Sequence, residues 1–414
     1  MAVIRPFRAI RPDDGRAAEV AALPYDVYDR EEAFLEVQGK PYSFLNIDRP
    51  ETQFDAAMDI YDPAVYEKAD EMLRGWLAEG VLKKEEKPCY YVYALTMDGR
   101  TQTGLVAASA VDDYISGVIK KHENTRADKE QDRVNHVDRT SMQTGPIFLA
   151  YRPVEGLRRL FNEVKAEAPL CDFTSADGIR HACWKIDDDT RIRMITDAFA
   201  AVPNTYIADG HHRAASAVRV ALKRRESHPD FTGAEEFNFF LSVIFPMDEL
   251  KILDYNRVVK DLNGLSEEAF LTRISADFTV SSAETGIPLR PSQKGEFGMF
   301  LKDKWYVLKV KPEHMTKDPV KGLDVSLLQD LLLSPVLGIK DPKTDKRIEF
   351  IGGIRGLREL ELRVHEGMAV AFSMYPTSMD ELFSVADAGL LMPPKSTWFE
   401  PKLRSGLFIH EFER

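Results

Sequence analysis

The spacing of apolar and polar positions changes period several times along the chain, and each change marks an element. Residues 1–60 carry short apolar runs broken by prolines and charges, "RPFRAIRP", "VAALPYDVYD" and "PYSFLNIDRPE", and read as short extended pieces and turns. From Val65 to Leu82 the period becomes helical, with Val65, Ala69, Leu73, Trp76 and Leu77 on one face. "CYYVYALTM" and "QTGLVAASAV" read as strands, and Asp98-Gly99 between them predicts a hairpin. A charged helix is expected within "IKKHENTRADKEQDRVNH", residues 119–136, followed by a strand "PIFLAY", a helix near 155–167, a strand "HACWKI" and a helix near 190–200. The stretch "YIADGHHRAASA", residues 206–217, passes from strand to helix at Asp209-Gly210, and "FFLSVIFP" reads as a buried strand ending near 246. Beyond it, strands "EFGMFL" and "KWYVLKV" alternate with helices near 324–334 and 356–362.

Strands and helices interleaved in this way predict an α/β fold, or a mixed α+β one. No internal repeat and no Gly/Ser-rich linker divides the chain, so a division into 1–110, 111–246 and 247–414 rests on changes of pattern alone. The 414 residues have room for two or three domains. A net charge of -12 disfavours nucleic acid and anionic lipid as partners, while leaving room for a local basic pocket. The three cysteines form no zinc or redox spacing, which points to reduced thiols and a cytoplasmic chain. The N-terminus lacks a signal-peptide core, and no window is apolar enough for a membrane span.

The candidate chemistry concentrates in three places. In the first, a glycine turn feeds a helix N-terminus, where unpaired N–H groups and the helix dipole favour an anion. Arg213 adds a fork that fits phosphate or carboxylate, His211 and His212 can donate, titrate or ligate a metal, and Asp209 can accept from a hydroxyl or hold Mg2+. The plainer alternative has Asp209 capping the helix and both histidines at the surface. In the second, Arg126, Lys129, Arg133 and His136 fall on one helical face and can clamp phosphates, while His122 and Glu123, just before it, can act as general acid or base. The alternative is a solvated helix with intrahelical ion pairs. The third, "PPKSTWFEPKLRSG", residues 393–406, brings Lys395, Lys402 and Arg404 among aromatic residues and can carry a cation into a pocket or simply pack as a closing loop. No two histidines have the helical spacing of a metal-ligand pair, so a histidine metal site is left as a weaker reading. "FIGGIRGL" lacks dinucleotide-fingerprint spacing, and Arg5, Arg8 and Asp26 interrupt apolar runs as pocket-lining candidates.

The order of "RPFRAIRP", "ALPYDV", "SFLNIDRPE", "QTGLV", "IKKHENTRADKEQDR", "YIADGHHRAASA", "LKILDYNRVVKDLNG", "FIGGIRGL" and "MPPKSTWFEPKLRSGLFIH" resembles, over the whole chain, the domain-of-unknown-function family numbered ten-fifteen. The middle part, about residues 110–225, also resembles the free serine kinases of the ParB/sulfiredoxin-like fold. That second resemblance implies a ParB/sulfiredoxin-like core with α+β elaborations at both ends. It also implies nucleotide phosphates on Gly210, His211, His212 and Arg213, and a catalytic role for Glu123 with His122 and Asp209. ATP or ADP with Mg2+ would be the cofactor, a small hydroxyl compound such as serine the acceptor, and Arg126, Lys129, Arg133 and Lys395 supporting cations. Two other functions stay open: a nucleotide-binding regulatory protein without transfer, and a metal-dependent hydrolase.

Overall fold

The computed structural model describes residues 1–125, 127–283 and 286–414, with all their side chains except those of Asp128 and Lys129. The fold is mixed α/β and divides into two units, Met1–Leu250 together with Pro401–Arg414, and Lys251–Glu400.

The first unit is built on a nine-stranded sheet. In chain order its strands are β1 (Ile4–Arg5), β2 (Tyr90–Met97), β3 (Arg100–Ala110), β4 (Ile119–Lys120), β5 (Ile147–Tyr151), β6 (Cys171–Thr174), β7 (Arg180–Ile186), β8 (Thr205–Asp209) and β9 (Phe239–Pro246). They lie in the order β4-β8-β5-β9-β3-β2-β7-β6, with β1 also paired to β3. The pairs β4–β8 and β5–β9 are parallel and the others antiparallel. The β2–β3 hairpin closes as the Asp98-Gly99 dipeptide requires, with φ of 51° and 76°, the left-handed pair whose twist matches that of the strands. Central strands β5 and β9 are buried along their whole length, which is why they read as unbroken apolar runs.

The longer helices pack on this sheet or on one another: α1 (Pro63–Ala78), α2 (Ala127–Thr140), α3 (Glu155–Lys165), α4 (Asp189–Phe199) and α5 (His211–Ser227). Helix α1 begins where Asp62 caps the Ala64 N–H and Pro63 fixes the first turn. Leu157, Leu160 and Phe161 of α3, Ile195 and Phe199 of α4, and Ala214, Ala217 and Val218 of α5 join the strands in one core cluster. The small residues of α5 sit in that core, while its outer face is tied to α2 through Arg219–Glu130 and through Lys223 and Arg224 to Asp138.

The expected break near 110 falls at the last residue of β3, which lies between β2 and β9. Strands from both sides of that position share one core, so the sheet admits no boundary there. The expected region 247–414 is divided as well, because Pro401–Arg414 returns to the first unit. Ile409 bridges Ile10, Ser405 bridges Ala22, and His410-Glu411 pairs with Met142-Gln143. Phe408 lies against the rings of Tyr91 and Tyr93, at 4.8 and 6.0 Å between centroids.

The second unit carries a six-stranded antiparallel sheet in the order Phe278–Ser282, Lys304–Val310, Glu296–Leu301, Val370–Ser373, Tyr255–Val259, Ile348–Gly352. The helix expected at 324–334 starts as Asp324–Leu328 and widens into a π turn over Gln329–Leu333. Among the described residues, no helix is long and apolar enough to cross a membrane.

Ile409 is fully buried in the cluster that holds α1 to the N-terminal segment. Ile409→Ala is expected to lower the unfolding free energy by about 2–5 kcal/mol in urea denaturation, the range for emptying a core site. An unchanged midpoint would show that the returning segment is not part of the core.

Candidate functional site

Strand β8 delivers its last residues irregularly. It pairs Ile207 with Leu149 and then Asp209 with Phe148, so the register slips by one residue at Ala208. Such a bulge bends the strand and re-aims the side chain that follows it. Gly210 comes next with φ 92° and ψ 32°, a left-handed conformation open to glycine, and α5 starts at His211. A Cβ at Gly210 would stand 3.0–3.1 Å from the Arg213 guanidinium, so the glycine also makes room for that side chain. No side chain caps α5. The Gly210 N–H donates to Asp209 Oδ1 at 2.8 Å, so the donors left by helix geometry begin at His211.

Asp209 is the charged centre of this turn. Its Oδ2 lies 3.2 Å from Lys402 Nζ and 3.8 Å from Arg213 Nη2. Burial alone would raise the pKa of this carboxyl; the charges of Lys402 and Arg213, with the Gly210 N–H, reverse that and hold it far below the ordinary value. Arg213 runs beneath the turn with 10% of its side chain exposed. Its Nη1 donates to the Pro146 carbonyl at 2.7 Å, while its buried Nε has no hydrogen-bond partner. A cavity of about 30 Å³ beside it is lined by Tyr25, Asp48, Arg133, Gln143 and Thr144, among others.

A second segment meets this turn. Strand β4 runs parallel to the start of β8, pairing Ile119 with Thr205 and Lys120 with Tyr206. The chain leaving β4 therefore follows the chain approaching Gly210, and His122 arrives against His211. The two rings stand perpendicular with centroids 4.5 Å apart, and the His122 N–H points to His211 Nε2 at 3.5 Å. Burial lowers the His122 pKa to about 4, against an upward pull from the Ile207 backbone and the Asp209 charge. Burial, then the neighbouring His122, pushes His211 well below its ordinary value. Both imidazoles are neutral at physiological pH. Glu123 is half-buried beside them, and one ligand atom each of His122, Glu123 and His211 lie within 4.8 Å of one another.

Of the residues expected from sequence, the structure brings together His122, Glu123, Asp209, Gly210, His211, His212 and Arg213. Arg126 lies outside the described residues, as does the side chain of Lys129. Arg133 and His136 do not form an open phosphate clamp. That face of α2 is turned into the protein, where Arg133 pairs with Asp132, donates to the Asp48 carbonyl at 3.2 Å and lies 4.1 Å over the Tyr25 ring. His136 Nε2 meets the Ile47 carbonyl at 2.9 Å. Lys395 belongs to the second unit, where its ammonium lies 5.6 Å over the Tyr255 ring and its carbonyl accepts from Arg257. The cation that reaches Asp209 is instead Lys402, seven residues on in the same motif. Its neighbour Arg404 is buried, donating through Nε to His181 Nε2 at 3.2 Å and pairing with Asp177. Of the apolar-run interrupters, Arg5 pairs with Glu236 and Arg8 with the Glu85 carbonyl, away from the turn, whereas the charge of Asp26 acts on Arg213.

The family described as "Protein of unknown function (DUF1015)" matches residues 4–326, and the chain belongs to it. No curated protein matches the chain in sequence. Among solved structures, a free serine kinase variant in complex with ADP is 14% identical with a TM-score of 0.35, over 75% of this chain and 93% of that one. SbnI with a C-terminal truncation, from Staphylococcus aureus, is 11% identical with a TM-score of 0.37, over 74% and 87%. A conserved hypothetical protein from Pyrococcus furiosus is 14% identical with a TM-score of 0.34, over 74% and 94%. TM-scores at this level describe loosely similar chain traces, and no residue correspondence follows from them.

The contact between Arg404 and His181 makes a pH prediction. Burial, then the Arg404 charge, lowers the His181 pKa to about 3, below its unfolded value near 6.5. The unfolded chain therefore binds the extra proton, and this contribution to stability is complete above about pH 6.5 and is lost as the pH falls toward 3. Urea unfolding at pH 6, 5 and 4 is expected to show proton uptake on unfolding, close to one proton of which, worth roughly 1.4 kcal/mol per pH unit, disappears in His181→Gln. An identical pH slope in the variant would mean that His181 titrates alike in the folded and unfolded chain.

Proposed function

We propose that the chain is a nucleotide-dependent phosphotransferase that phosphorylates the hydroxyl of a small molecule, free serine being the first candidate. The observation that carries the reading is the uncapped, glycine-fed start of α5, with Arg213 Nε buried and unpartnered beneath it. Asp209 has Lys402 and Arg213 against it, and Asp26 and Asp48 also act on Arg213, so the pull on an anion comes from the helix start and its dipole rather than from a charge count. A phosphate placed at the first turn of α5 meets that dipole.

In this reading Lys402 and Arg213 neutralise charge that builds on the transferred group, which is the main demand of phosphoryl transfer. The acceptor oxygen attacks the terminal phosphorus, the bond from that phosphorus to the nucleotide's bridging oxygen breaks, and Glu123 receives the acceptor's proton. Neutral His122 and His211 can donate or accept a hydrogen bond without adding charge. Mg2+ entering with ATP or ADP would supply further charge neutralisation, and Asp209 would be a carboxylate to hold it.

The test is a thermal-shift screen of the full chain with ATP, ADP, CTP and pyrophosphate, each with Mg2+. A ligand at a hundredfold excess over its Kd adds about 2.7 kcal/mol to stability. The expected result is a higher Tm with at least one nucleotide and loss of that increment in Arg213→Ala, whatever the variant's own starting Tm. Glu123→Gln is expected to keep the increment and lose serine-dependent turnover. Unchanged turnover in Glu123→Gln would remove Glu123 as the base; a Tm increment in the native chain without serine-dependent turnover would leave a nucleotide-binding module; no increment with any nucleotide would remove the reading.

A further inference from the structure

The His122 ring is 2% exposed, and among the described residues neither Nδ1 nor Nε2 makes a well-formed hydrogen bond, the pull of the Ile207 backbone on the ring falling short of one. A buried imidazole with both nitrogens unserved is costly unless something occupies them. The neighbouring His211 is 6% exposed, and its Nε2 receives only the long 3.5 Å contact from the His122 N–H, beyond the ordinary range for an N–H donor. Glu123 completes a set of two imidazoles and one carboxylate whose ligand atoms lie within 4.8 Å of one another.

We propose that His122, Glu123 and His211 bind one divalent transition-metal ion of the Zn2+, Mn2+ or Fe2+ class. The donor set decides the class. Imidazole nitrogens suit these ions, whereas Mg2+ takes oxygen ligands and keeps its waters. Two histidines and one carboxylate fill three positions and leave at least one open, as in catalytic rather than structural centres. Ligand atoms about 2.0–2.2 Å from a common ion stand roughly 3.4 Å apart, so closing the set asks about an ångström of side-chain rotation.

The chain organises such a site without a helical ligand pair. His122 and Glu123 are consecutive on the segment leaving β4, and His211 is the first residue of α5, so the parallel pairing of β4 with β8 assembles the set. Asp209, which acts electrostatically on both rings, supplies negative charge just outside the ligands; Lys121 and His212 act on His211 in the opposite sense. Metal binding and the transfer chemistry above both draw on Glu123, the one as a ligand and the other as a base. Neither requires the other.

The test strips the full chain with a chelator and offers Zn2+ alone, Co2+ alone as a spectroscopic probe, and Mg2+ alone, all without nucleotide. The expected result is one equivalent of Zn2+ retained through gel filtration, visible absorption from bound Co2+, and no displacement of either by equimolar Mg2+. Glu123→Gln, at a half-buried position that tolerates the isostere, is expected to weaken Zn2+ binding at least tenfold, and His122→Gln at least a hundredfold. Arg213→Ala is expected to retain the metal. Substoichiometric Zn2+, retention unchanged in both ligand variants, or displacement by equimolar Mg2+ would overturn the site. Metal bound with no response to any nucleotide would leave the site standing and remove the phosphotransferase reading; nucleotide bound with no metal would do the reverse.

Discussion

Everything at this site depends on keeping Asp209 ionised where only 30% of its side chain still meets solvent. Withdrawing a carboxylate from water is unfavourable unless partners replace the lost hydration. The partners come from opposite directions. Arg213 rises from the first turn of α5 and is steadied by the Pro146 carbonyl, while Lys402 arrives on the segment that returns from the second unit. That segment is fixed in turn by Ile409 against Ile10 and by Phe408 among the tyrosines of β2. Packing far from the turn thus sets the position of a charge at its centre.

The same site places polar groups with different electrostatic duties side by side. The carboxylate stays charged because two cations face it; His122 and His211 stay neutral because burial outweighs the pull of that carboxylate. Only a well-fixed backbone keeps these regimes apart within a few ångströms. It is provided by the slipped register at Ala208 and the left-handed Gly210, which let a strand residue, a turn residue and a helix residue point into one space. On β7, His181 is kept neutral by burial and by the charge of Arg404 lying against it.

Most strands and the long helices are legible because their periodicity is local. The Asp98-Gly99 hairpin, the burial of β5 and β9, and the start of α5 at His211 all follow from short windows of sequence. The turn at Asp209-Gly210 is legible too, since a strand that stops at a glycine and resumes as an alanine-rich helix must turn there, with the next three polar side chains on the helix's first turn. The direction taken by α2 is not. Arg133 and His136 share a helical face, but periodicity gives no means of knowing that this face meets Tyr25 and the Ile47 and Asp48 carbonyls. Choosing Lys395 over Lys402 fails for a similar reason: the loop that carries both is split between two units, and only long-range pairing reveals which side each lysine joins. The meeting of His122 with His211 needs the parallel pairing of β4 with β8, a contact between segments that no local pattern announces.

The return of Pro401–Arg414 to the first unit has a consequence in time. During synthesis, residues 1–250 leave the ribosome without Lys402, Phe408 or Ile409, and all of Lys251–Glu400 is made before those residues appear. At 5–20 residues per second, the nascent sheet waits about 8–30 s for its closing segment. Throughout that interval Asp209 has Arg213 but not Lys402. A chain released early lacks the second cation as well as the last of its core, so the charge at the turn reports whether translation has passed residue 402.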